Sequence, residues 1–212
     1  MKPVASVEKR LCSDFRTKPF HERANLKIVL GISGASGTIY GLRLLEKLRR
    51  REGVETHLIL TRAAERTALL ETGKKSVEIR NLAHFSYSLE DIGARLASGS
   101  FLTDAMVIAP CSVNTMSSIA HGISSNLLIR AADVTLKERR KLVLMIRETP
   151  FHLGHLRTMV LLAEMGAIIC PPIPGFYTAP QTVMDIVDQS VDRVMDLLGI
   201  PADDAKRWEG RT

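Results

Sequence analysis

The chain has 212 residues, which is enough for one ordinary α/β domain and too few for two. Hydrophobic residues make up 45% and charged residues 25% of it, a balance that excludes a largely disordered chain, and an aromatic content of 5% predicts an aliphatic core. With 29 Lys and Arg against 23 Asp and Glu, the formal charge of +6 favours anionic partners, either phosphorylated small molecules or nucleic acid.

The sequence carries no signal for export or for membrane insertion. No stretch approaches the roughly 20 apolar residues of a membrane span, and the N-terminus lacks an apolar run of the signal-peptide type. Three widely spaced cysteines fit neither a disulfide framework nor a zinc site, and the six histidines show no metal-binding spacing. We therefore expect a cytoplasmic protein without a bound metal.

The first 25 residues mix charges without periodicity, whereas strands and helices alternate through the rest of the chain. We interpret residues 1–25 as a flexible arm, or a strap onto a neighbouring subunit, and residues 26–212 as one domain. The strands are predicted at Leu26–Ile32, Val54–Leu60, Ala105–Ala109, Leu142–Ile146 and Ala167–Cys170. The helices are predicted at Ile39–Arg51, Ala63–Glu71, Thr115–Ile119, Leu153–Met165 and Val183–Leu198. This alternation predicts right-handed βαβ crossovers and a doubly wound parallel sheet, with ligands beyond the carboxyl ends of the strands.

A glycine-rich loop, GISGASG at residues 31–37, follows the first predicted strand. It is neither the G-x-G-x-x-G dinucleotide fingerprint nor a P-loop. Its glycines allow close approach of the backbone to a ligand, its helix-start amides can face an anion, and Ser33 and Ser36 can donate to phosphate. The alternative is a tight turn that needs small residues for structural reasons alone.

A second loop at residues 109–115 follows another strand with small polar side chains, so it can contact a second edge of the same ligand. Ser112 taken singly reads more simply as a helix N-cap. Cys111 invites a nucleophile interpretation, but a small cysteine at a strand end is usually a packing residue.

Arg147 and Glu148 come directly after a third strand. Arg147 suits bidentate binding of phosphate or of an anionic ring edge, and Glu148 suits general acid–base chemistry. A surface ion pair that closes the loop is the alternative. Downstream, the rigid PPIPGFY loop at residues 171–177 could wall an apolar substrate with Tyr177, or it could be only a stiff connection. The basic run at residues 137–141 lacks interleaved aromatic residues, so we interpret it as a solvated helix end rather than as a nucleic-acid patch.

Taken together, these loops resemble the flavin prenyltransferases of the UbiX type. The resemblance extends from about Leu26 to Trp208 and is carried by residues 34–37 (GASG), 110–112 (PCS), 126–134 (NLLIRAADV), 136–140 (LKERR), 147–151 (RETPF) and 174–177 (PGFY). It implies the Rossmann-like, flavodoxin-like fold of FMN-binding flavoproteins. It also implies transfer of a dimethylallyl group from dimethylallyl phosphate to N5 and C6 of reduced FMN. The product, prenylated FMN, would serve a UbiD-type decarboxylase. Members of the family form large homo-oligomers, commonly dodecamers, with substrate sites at subunit interfaces.

The resemblance further implies roles for particular residues. Glu148 would be the catalytic acid or base, and Ser36 would help to relay protons. FMN would be held by Gly34, Ala35, Ser36, Thr61, Ser112, Val113, Asn114, Thr115 and Arg147. The prenyl donor would be bound by Arg130, Lys137, Tyr177 and Arg193, with Glu71 and Trp208 also reaching the active site across an interface. Val113 stands where a hydroxyl residue is common in the family.

Two alternatives stay open at this stage. One is a flavin-dependent cysteine decarboxylase on the same fold, disfavoured because residues 38–49 contain no histidine. The other is a non-catalytic FMN-binding subunit of an aromatic-acid decarboxylase complex. The sequence also leaves open whether the donor is a monophosphate or a diphosphate.

Overall fold

The computed structural model describes residues 25–202, 205, 207–208 and 210. The arm predicted over residues 1–25 therefore lies outside the described residues, except for Asn25. Six parallel strands form one sheet in the order β3-β2-β1-β4-β5-β6. The strands are β1 Leu26–Ile32, β2 Val54–Leu60, β3 Phe85–Tyr87, β4 Ala105–Cys111, β5 Lys141–Ile146 and β6 Ile168–Ile169. The predicted doubly wound parallel sheet is thus confirmed.

Helices cover both faces of this sheet. The first face packs against α1 Thr38–Arg49, α2 Arg62–Thr72, α3 Ser76–Asn81 and α7 Val183–Leu197, and the second against α4 Val113–Ala120, α5 Leu127–Lys137 and α6 Leu153–Glu164. Alternate residues of each strand supply the two aliphatic cores, so that Leu30 faces the α1 side while Val29 faces the α5 side. The sheet is buried on both faces, as its β-branched and aliphatic strands require.

Several elements depart from the predicted bounds for local reasons. The prediction did not include β3, a three-residue edge strand, or the short α3, because segments this brief carry little periodicity. The fourth strand runs through Pro110 to Cys111, one residue past the proline at which it was predicted to stop. The 11-residue α5 was also missing from the predicted helices, although residues 126–134 carried a motif; Asn126 caps its first turn.

The strand order places a topological switch point between β1 and β4. The chain runs outward from β1 through β2 to β3 and then returns to β4 on the other side of β1. Loops at the carboxyl ends of these two central strands therefore leave in opposite directions and open a crevice between them. We call the carboxyl-end loops of β1, β2, β4 and β5 (residues 33–37, 61, 112–115 and 147–149) the strand-end edge.

Candidate functional site

The two loops at the switch point are joined by Ser33. Its hydroxyl donates to the carbonyl of Pro110 at 2.8 Å and accepts from the backbone N–H of Ser112 at 2.8 Å. The side chain is buried, so it is not available to a ligand phosphate, contrary to the expectation from the sequence. Ser33 instead sets the spacing between the first and second loops.

The N-terminus of α1 already has an anionic partner within the chain. The Glu71 carboxylate, near the end of α2, accepts from the backbone N–H groups of Gly37 and Thr38 at 3.0 Å and from the Thr38 hydroxyl at 2.8 Å. The sequence predicted that these amides would face a ligand anion, and that expectation is wrong because Glu71 occupies them. Ser36 is exposed beside them and also hydrogen-bonds Glu71.

These contacts change the acidity of Glu71. Burial by itself would raise the pKa of the carboxyl, but the hydrogen bonds from Ser36, Thr38 and the two amides outweigh burial and lower the pKa below its ordinary value. Glu71 is therefore ionised at neutral pH and holds Ser36 in place as a hydrogen-bonded neighbour. The pair joins an exposed hydroxyl to a carboxylate at the strand-end edge.

Only some side chains of the second loop, residues 112–115, are accessible at the strand-end edge. Ser112 caps α4 by accepting from the N–H of Thr115, and its hydroxyl donates to the Thr115 hydroxyl at 3.1 Å. The Thr115 side chain is buried beneath that contact. Val113 is half-buried and packs against the second aliphatic core, whereas Asn114 is exposed and faces outward.

Two other predicted flavin contacts have structural roles of their own. Thr61 caps α2, since its hydroxyl accepts from the N–H of Ala64 at 3.1 Å. Gly34 lies so close to α2 that an added Cβ would stand 2.3 Å from the Cβ of Ala63. The tight-turn alternative is therefore correct in part, because the glycine is needed for packing. Gly34 and Ala35 are nevertheless half-buried rather than enclosed, and their backbone borders the crevice.

Arg147 and Glu148 lie at the carboxyl end of β5. The backbone N–H of Arg147 donates to the Cys111 carbonyl at 3.1 Å, which fixes this loop beside the second one. Within the described chain the Arg147 guanidinium makes no ion pair or hydrogen bond, while the Glu148 carboxylate accepts only from the N–H of Thr149. The alternative of an Arg147–Glu148 ion pair is therefore wrong, and both charged groups remain accessible to a ligand.

Tyr40 is a residue at this site that the sequence analysis missed. It lies in the first turn of α1, where its ring would contact a Cβ at Gly37 at 3.0 Å. Burial raises the pKa of the Tyr40 phenol, and the nearby positive charge of Arg147 partly offsets that effect. A tyrosine three residues after Gly37 was a usable signal, because position N3 of a helix lies next to the loop that precedes it.

A second group of predicted residues meets in a different place, which we call the α7 cleft. This cavity of about 690 Å³ lies between α1, α7 and the loop that follows β6, and Tyr177, Arg193 and Trp208 are among the residues that line it. The rings of Tyr177 and Trp208 are in edge-on contact, with centroids 5.9 Å apart. Both aromatic residues are more than half exposed in the single chain, at 54% and 64%. The cleft thus combines an aromatic wall with charged side chains.

Most cations of the α7 cleft are already neutralised by aspartates. Arg43 pairs with Asp188, Lys47 pairs with Asp188 and Asp192, and Arg207 pairs with Asp196. Arg193 makes no ion pair with any residue that the structure describes. Among the described cations of the cleft, Arg193 is therefore the one available to an incoming anion.

Arg130 and Lys137 do not join Arg193 in one chain, which corrects the expectation of a shared cation cluster. Both lie on α5, across the sheet from α7, and each has an acidic neighbour, Asp133 for Arg130 and Glu138 for Lys137. Lys137 ends α5 just before β5 begins at Lys141, so it lies roughly 20 Å from the strand-end edge, the length of a six-residue strand.

The remaining predictions concern sulfur and metal chemistry. Cys111 is fully buried, and burial raises the pKa of its thiol, which fits the packing role and not a nucleophile. Within the described ranges there is no group of three or more His, Cys, Asp or Glu side chains suited to a metal ion. No helix in this part of the chain is both long and apolar enough to cross a membrane.

Comparison with known proteins identifies the family. Residues 16–195 match the Flavoprotein family model. The chain is 52% identical over 185 residues to the flavin prenyltransferase UbiX of Thauera aromatica, which covers 87% of this chain and 95% of that protein. The chain belongs to the UbiX flavin prenyltransferases.

Two solved structures of this family have the same architecture. The AnUbiX structure in complex with FMN and dimethylallyl pyrophosphate superimposes with a TM-score of 0.87 at 41% identity, over 89% of this chain and all of that one. A dodecameric, FMN-dependent UbiX-like protein from Escherichia coli O157:H7 gives 0.86 at 44% identity, over 87% of this chain and all of that one. The expected flavin prenyltransferase identity, the FMN chemistry and the fold are thereby confirmed. The peptidyl-cysteine decarboxylase EpiD, at 16% identity and a TM-score of 0.56, shares the fold alone.

Proposed function

We propose that the chain transfers the dimethylallyl group of dimethylallyl phosphate to N5 and C6 of reduced FMN. The observation that carries this proposal is the strand-end edge itself. Arg147, which makes no ion pair with any described residue, and the accessible carboxylate of Glu148 lie there after β5, beside the Ser36–Glu71 pair from the β1 loop and α2. Reduced FMN supplies the nucleophilic ring atoms, and the protein supplies binding, orientation and proton transfer.

The residues at this edge fit an FMN molecule. Arg147 offers an exposed guanidinium for the anionic or carbonyl edge of the flavin, and Asn114 offers an exposed amide. We assign further FMN contacts to the first loop, namely the backbone of Gly34 and Ala35 and the exposed side chain of Ser36. The remaining contacts are the Val113 side chain and the hydroxyl hydrogen of Thr61, which can be donated to the flavin. Ser112 and Thr115, which the sequence also assigned to FMN, support the loop from beneath.

Two proton-transfer groups serve this reaction. Closing the fourth ring joins C6 to one alkene carbon of the prenyl group, so C6 loses a proton and the neighbouring alkene carbon gains one. The departing phosphate accepts the proton that N5 loses on alkylation. A carboxylate between ring and donor therefore has a proton to move in each step. We assign that task to Glu148, whose carboxylate accepts from the Thr149 N–H and makes no ion pair with any residue that the structure describes. Ser36, hydrogen-bonded to the ionised Glu71, can pass a proton at the other side of the crevice.

The donor site is completed by two copies of the chain. Tyr177, Arg193 and Trp208 line the α7 cleft of one copy, and Arg130 and Lys137 lie on the opposite face of the sheet. They can bind one phosphate only if the α5 face of one copy meets the α7 side of another. The dodecameric UbiX-like neighbour supports such an assembly for this chain, with a homo-dodecamer as the proposed state.

The surface of α6 gives independent support for assembly. This helix is largely apolar, yet Leu162 is its only fully buried residue. Its neighbours along the helix are exposed in the single chain, namely Leu153, Leu156, Val160 and Leu161, with Phe151 just before it and Met165 just after. A contiguous apolar face of this kind is the surface that an obligate homo-oligomer buries.

The charge of the α7 cleft favours a monophosphate donor. Among the described residues Arg193 is the cleft cation without an ion pair, whereas Arg130 and Lys137 of a second copy each have an acidic neighbour, Asp133 and Glu138. The net positive charge offered to the donor is therefore small, and it suits the two negative charges of one phosphate group better than the larger charge of a diphosphate. The expected result is a lower KM for dimethylallyl phosphate than for the pyrophosphate, and the reverse order would contradict this assignment.

The product, prenylated FMN, is proposed to pass to a UbiD-type decarboxylase in the cytoplasm. Cys111 and Cys170 are free thiols, as expected in a reducing compartment, and this supports that location. The alternative, a non-catalytic FMN-binding subunit, makes a different prediction for the isolated protein.

The test is the mass of the flavin after turnover. Purified protein is incubated without oxygen with reduced FMN and dimethylallyl phosphate, and the extracted flavin is weighed by mass spectrometry. The proposal predicts a flavin heavier by one prenyl unit. If the intact oligomer with bound FMN leaves the flavin mass unchanged, the non-catalytic alternative is correct.

The same assay tests Glu148. Glu148→Gln keeps shape and hydrogen bonding but cannot accept a proton, so FMN affinity should stay within about twofold while turnover falls by about 10²–10⁴-fold. Glu164→Gln, at the exposed end of α6, is the matched control and should behave as wild type. A Glu148→Gln rate within a few-fold of wild type would assign Glu148 a structural role only.

A further inference from the structure

The side chain of Gln189 makes a paired contact with the turn that carries Tyr177. Its Oε1 accepts from the backbone N–H of Gly175 at 2.7 Å, and its Nε2 donates to the carbonyl of the same residue at 2.8 Å. The side-chain amide of Gln189 therefore satisfies both the backbone N–H and the backbone carbonyl of Gly175, as a neighbouring β-strand would. Gln189 lies in the middle of α7 and is half-buried.

Gly175 is the residue that permits this contact. A Cβ added at Gly175 would stand 2.5 Å from Nε2 of Gln189, so any other residue would push the amide away. The next three residues, Phe176–Thr178, form a single 3-10 turn, and the Thr178 hydroxyl donates back to the Gly175 carbonyl at 3.1 Å. The turn is thus hydrogen-bonded to one side chain of α7, mainly through Gly175, with a longer contact of 3.4 Å from Gln189 Nε2 to the Thr178 hydroxyl.

Apolar packing contributes little to holding this turn. Phe176 is 74% exposed and Tyr177 is 54% exposed, so neither ring is anchored in the core. The Tyr177 ring does contact Trp208, but Trp208 is itself mostly exposed. The position of Tyr177 over the α7 cleft therefore depends on the backbone contact at Gly175.

We propose that Gln189 is a positioning residue for the prenyl donor, which holds the Gly175–Thr178 turn so that Tyr177 closes the α7 cleft above Arg193. Gln189 and Arg193 are four residues apart and share a face of α7, so one helix places both the fixed cation and the anchor of the aromatic wall. The inference rests on the proposed function, since it takes the α7 cleft to be the donor site. Gln189 acts through Tyr177 and contacts no reacting atom.

The direct readout is the fluorescence of Trp208, the only tryptophan of the chain. Gln189→Met keeps length and volume but removes both hydrogen bonds to Gly175. It should release the turn, separate Tyr177 from Trp208 and shift the tryptophan emission in the holoenzyme. Gln181→Met is the matched control, because Gln181 is the other glutamine and donates to the exposed loop carbonyl of Ala179 without touching Gly175.

Kinetics provides the second readout. If the Gly175–Thr178 turn is closed in only a fraction of the molecules, the apparent affinity for the prenyl donor is reduced in proportion to that fraction. Loss of two neutral hydrogen bonds should raise the KM for dimethylallyl phosphate about tenfold. In Gln189→Met, kcat at saturating donor and FMN affinity should each change less than about threefold. Unchanged emission together with unchanged KM would overturn the inference.

Gln189→Glu provides a pH-dependent rescue. The protonated acid reproduces both contacts, since its carbonyl accepts from the Gly175 N–H and its O–H donates to the Gly175 carbonyl. The ionised carboxylate of this variant has no O–H to donate, and its negative charge repels the carbonyl oxygen of Gly175. Emission of this variant should therefore change from the wild-type value to that of Gln189→Met as pH rises, whereas wild type stays constant. A flat profile would contradict the paired contact.

These outcomes separate the inference from the proposed function. If wild-type protein forms no prenylated flavin, the proposed function fails, but the emission measurements still test whether Gln189 holds the turn. If wild type is active and Gln189→Met changes emission without changing the donor KM, Gln189 holds a turn that donor binding does not use, and the positioning role is overturned.

Discussion

Ser33 shows how one buried side chain can set the geometry of a crevice by joining its two sides. Its buried hydroxyl joins the ends of β1 and β4, and removing it leaves the N–H of Ser112 without a partner. Ser33→Ala should cost about 1–3 kcal/mol of folding free energy and weaken FMN binding, because the two loops lose their fixed spacing. Chemical denaturation and flavin titration measure the two effects. Ser88→Ala, at an exposed position, is the control, and equal behaviour of the two variants would contradict the role of Ser33.

Glu71 gives the protein a pH-dependent contribution to stability. Because the pKa of Glu71 is lowered in the folded state, its stabilisation is complete above the ordinary value of 4.5 and is lost as pH falls through the lowered value. Glu71→Gln should lower Tm by about 2–4 °C at pH 7, on the basis of about 1 kcal/mol for an anion at a helix N-terminus.

That difference in Tm should shrink as the pH is lowered from 7 toward 3, because wild-type Glu71 then becomes neutral as well. Thermal melts across this range measure it, and Glu52→Gln, at an exposed position, provides the baseline. A Tm difference between wild type and Glu71→Gln that stays constant with pH would mean that the carboxylate charge does not stabilise α1.

The sequence predicted the position of a functional residue correctly where that residue comes directly after a recognisable strand. Arg147 and Glu148 follow a recognisable buried strand, and they lie accessible at the end of β5 as that position requires. Ser33 was misassigned because a serine in a glycine-rich loop has the same sequence signature whether it binds a ligand or another loop. Gln189 gave no signal, because its partner is a backbone fourteen residues away.

At the level of elements, the contact of α1 with β4 determines how closely the two sides of the switch point approach. Gly41 in α1 lies against β4, and a Cβ there would stand 2.2 Å from the Ala109 carbonyl oxygen. Gly→Ala in a helix interior normally stabilises a protein, but here the obstacle is backbone and cannot rotate away. The helix must move instead.

Gly41→Ala should therefore destabilise the protein by about 1–3 kcal/mol, and it should weaken FMN binding because α1 carries the glycine-rich loop. Denaturant unfolding and flavin titration measure both effects. Gly93→Ala is the control, since the nearest atom to its added Cβ is an Asp91 oxygen at an ordinary 3.6 Å. Stabilisation by Gly41→Ala would contradict the packing described for α1.

The prediction found most of the elements that have a long apolar period, but it missed α5, an 11-residue helix, as well as the short α3 and β3. The five predicted strands and the five predicted helices are all present, with ends that differ by a few residues. The three-residue β3 is held by its register with β2, from His57↔Phe85 to Ile59↔Tyr87, and no local pattern in three residues could report that pairing. The strand order likewise depends on long-range pairing, which periodicity does not encode.

For the whole molecule, the central feature is that the proposed donor residues lie on opposite faces of one sheet. The sequence analysis grouped Lys137 with Arg193 by resemblance, and a single chain separates them by the full thickness of the domain. Sequence alone could not show this separation, because it depends on which face each helix covers. A site shared by two copies reconciles the resemblance with the fold.

This shared site makes a prediction about mixed oligomers. Lys137→Ala and Arg193→Ala should each raise the donor KM strongly while FMN stays bound. In a co-assembled oligomer of the two variants, some sites receive the intact Lys137 of one copy and the intact Arg193 of another. Random mixing leaves about a quarter of the sites complete, so about a quarter of wild-type activity should return.

The most direct test of the account is therefore the prenylation rate of this mixed oligomer, with its one-to-one composition verified by native mass spectrometry. The control mixes Arg193→Ala with Tyr177→Phe, whose positions lie in the same cleft of one chain, so that no site becomes complete. The account predicts about a quarter of the wild-type rate for the Lys137→Ala and Arg193→Ala mixture, and no recovery for the control. No recovery in either mixture, or full activity of Lys137→Ala alone, would contradict a donor site built from two faces of the sheet.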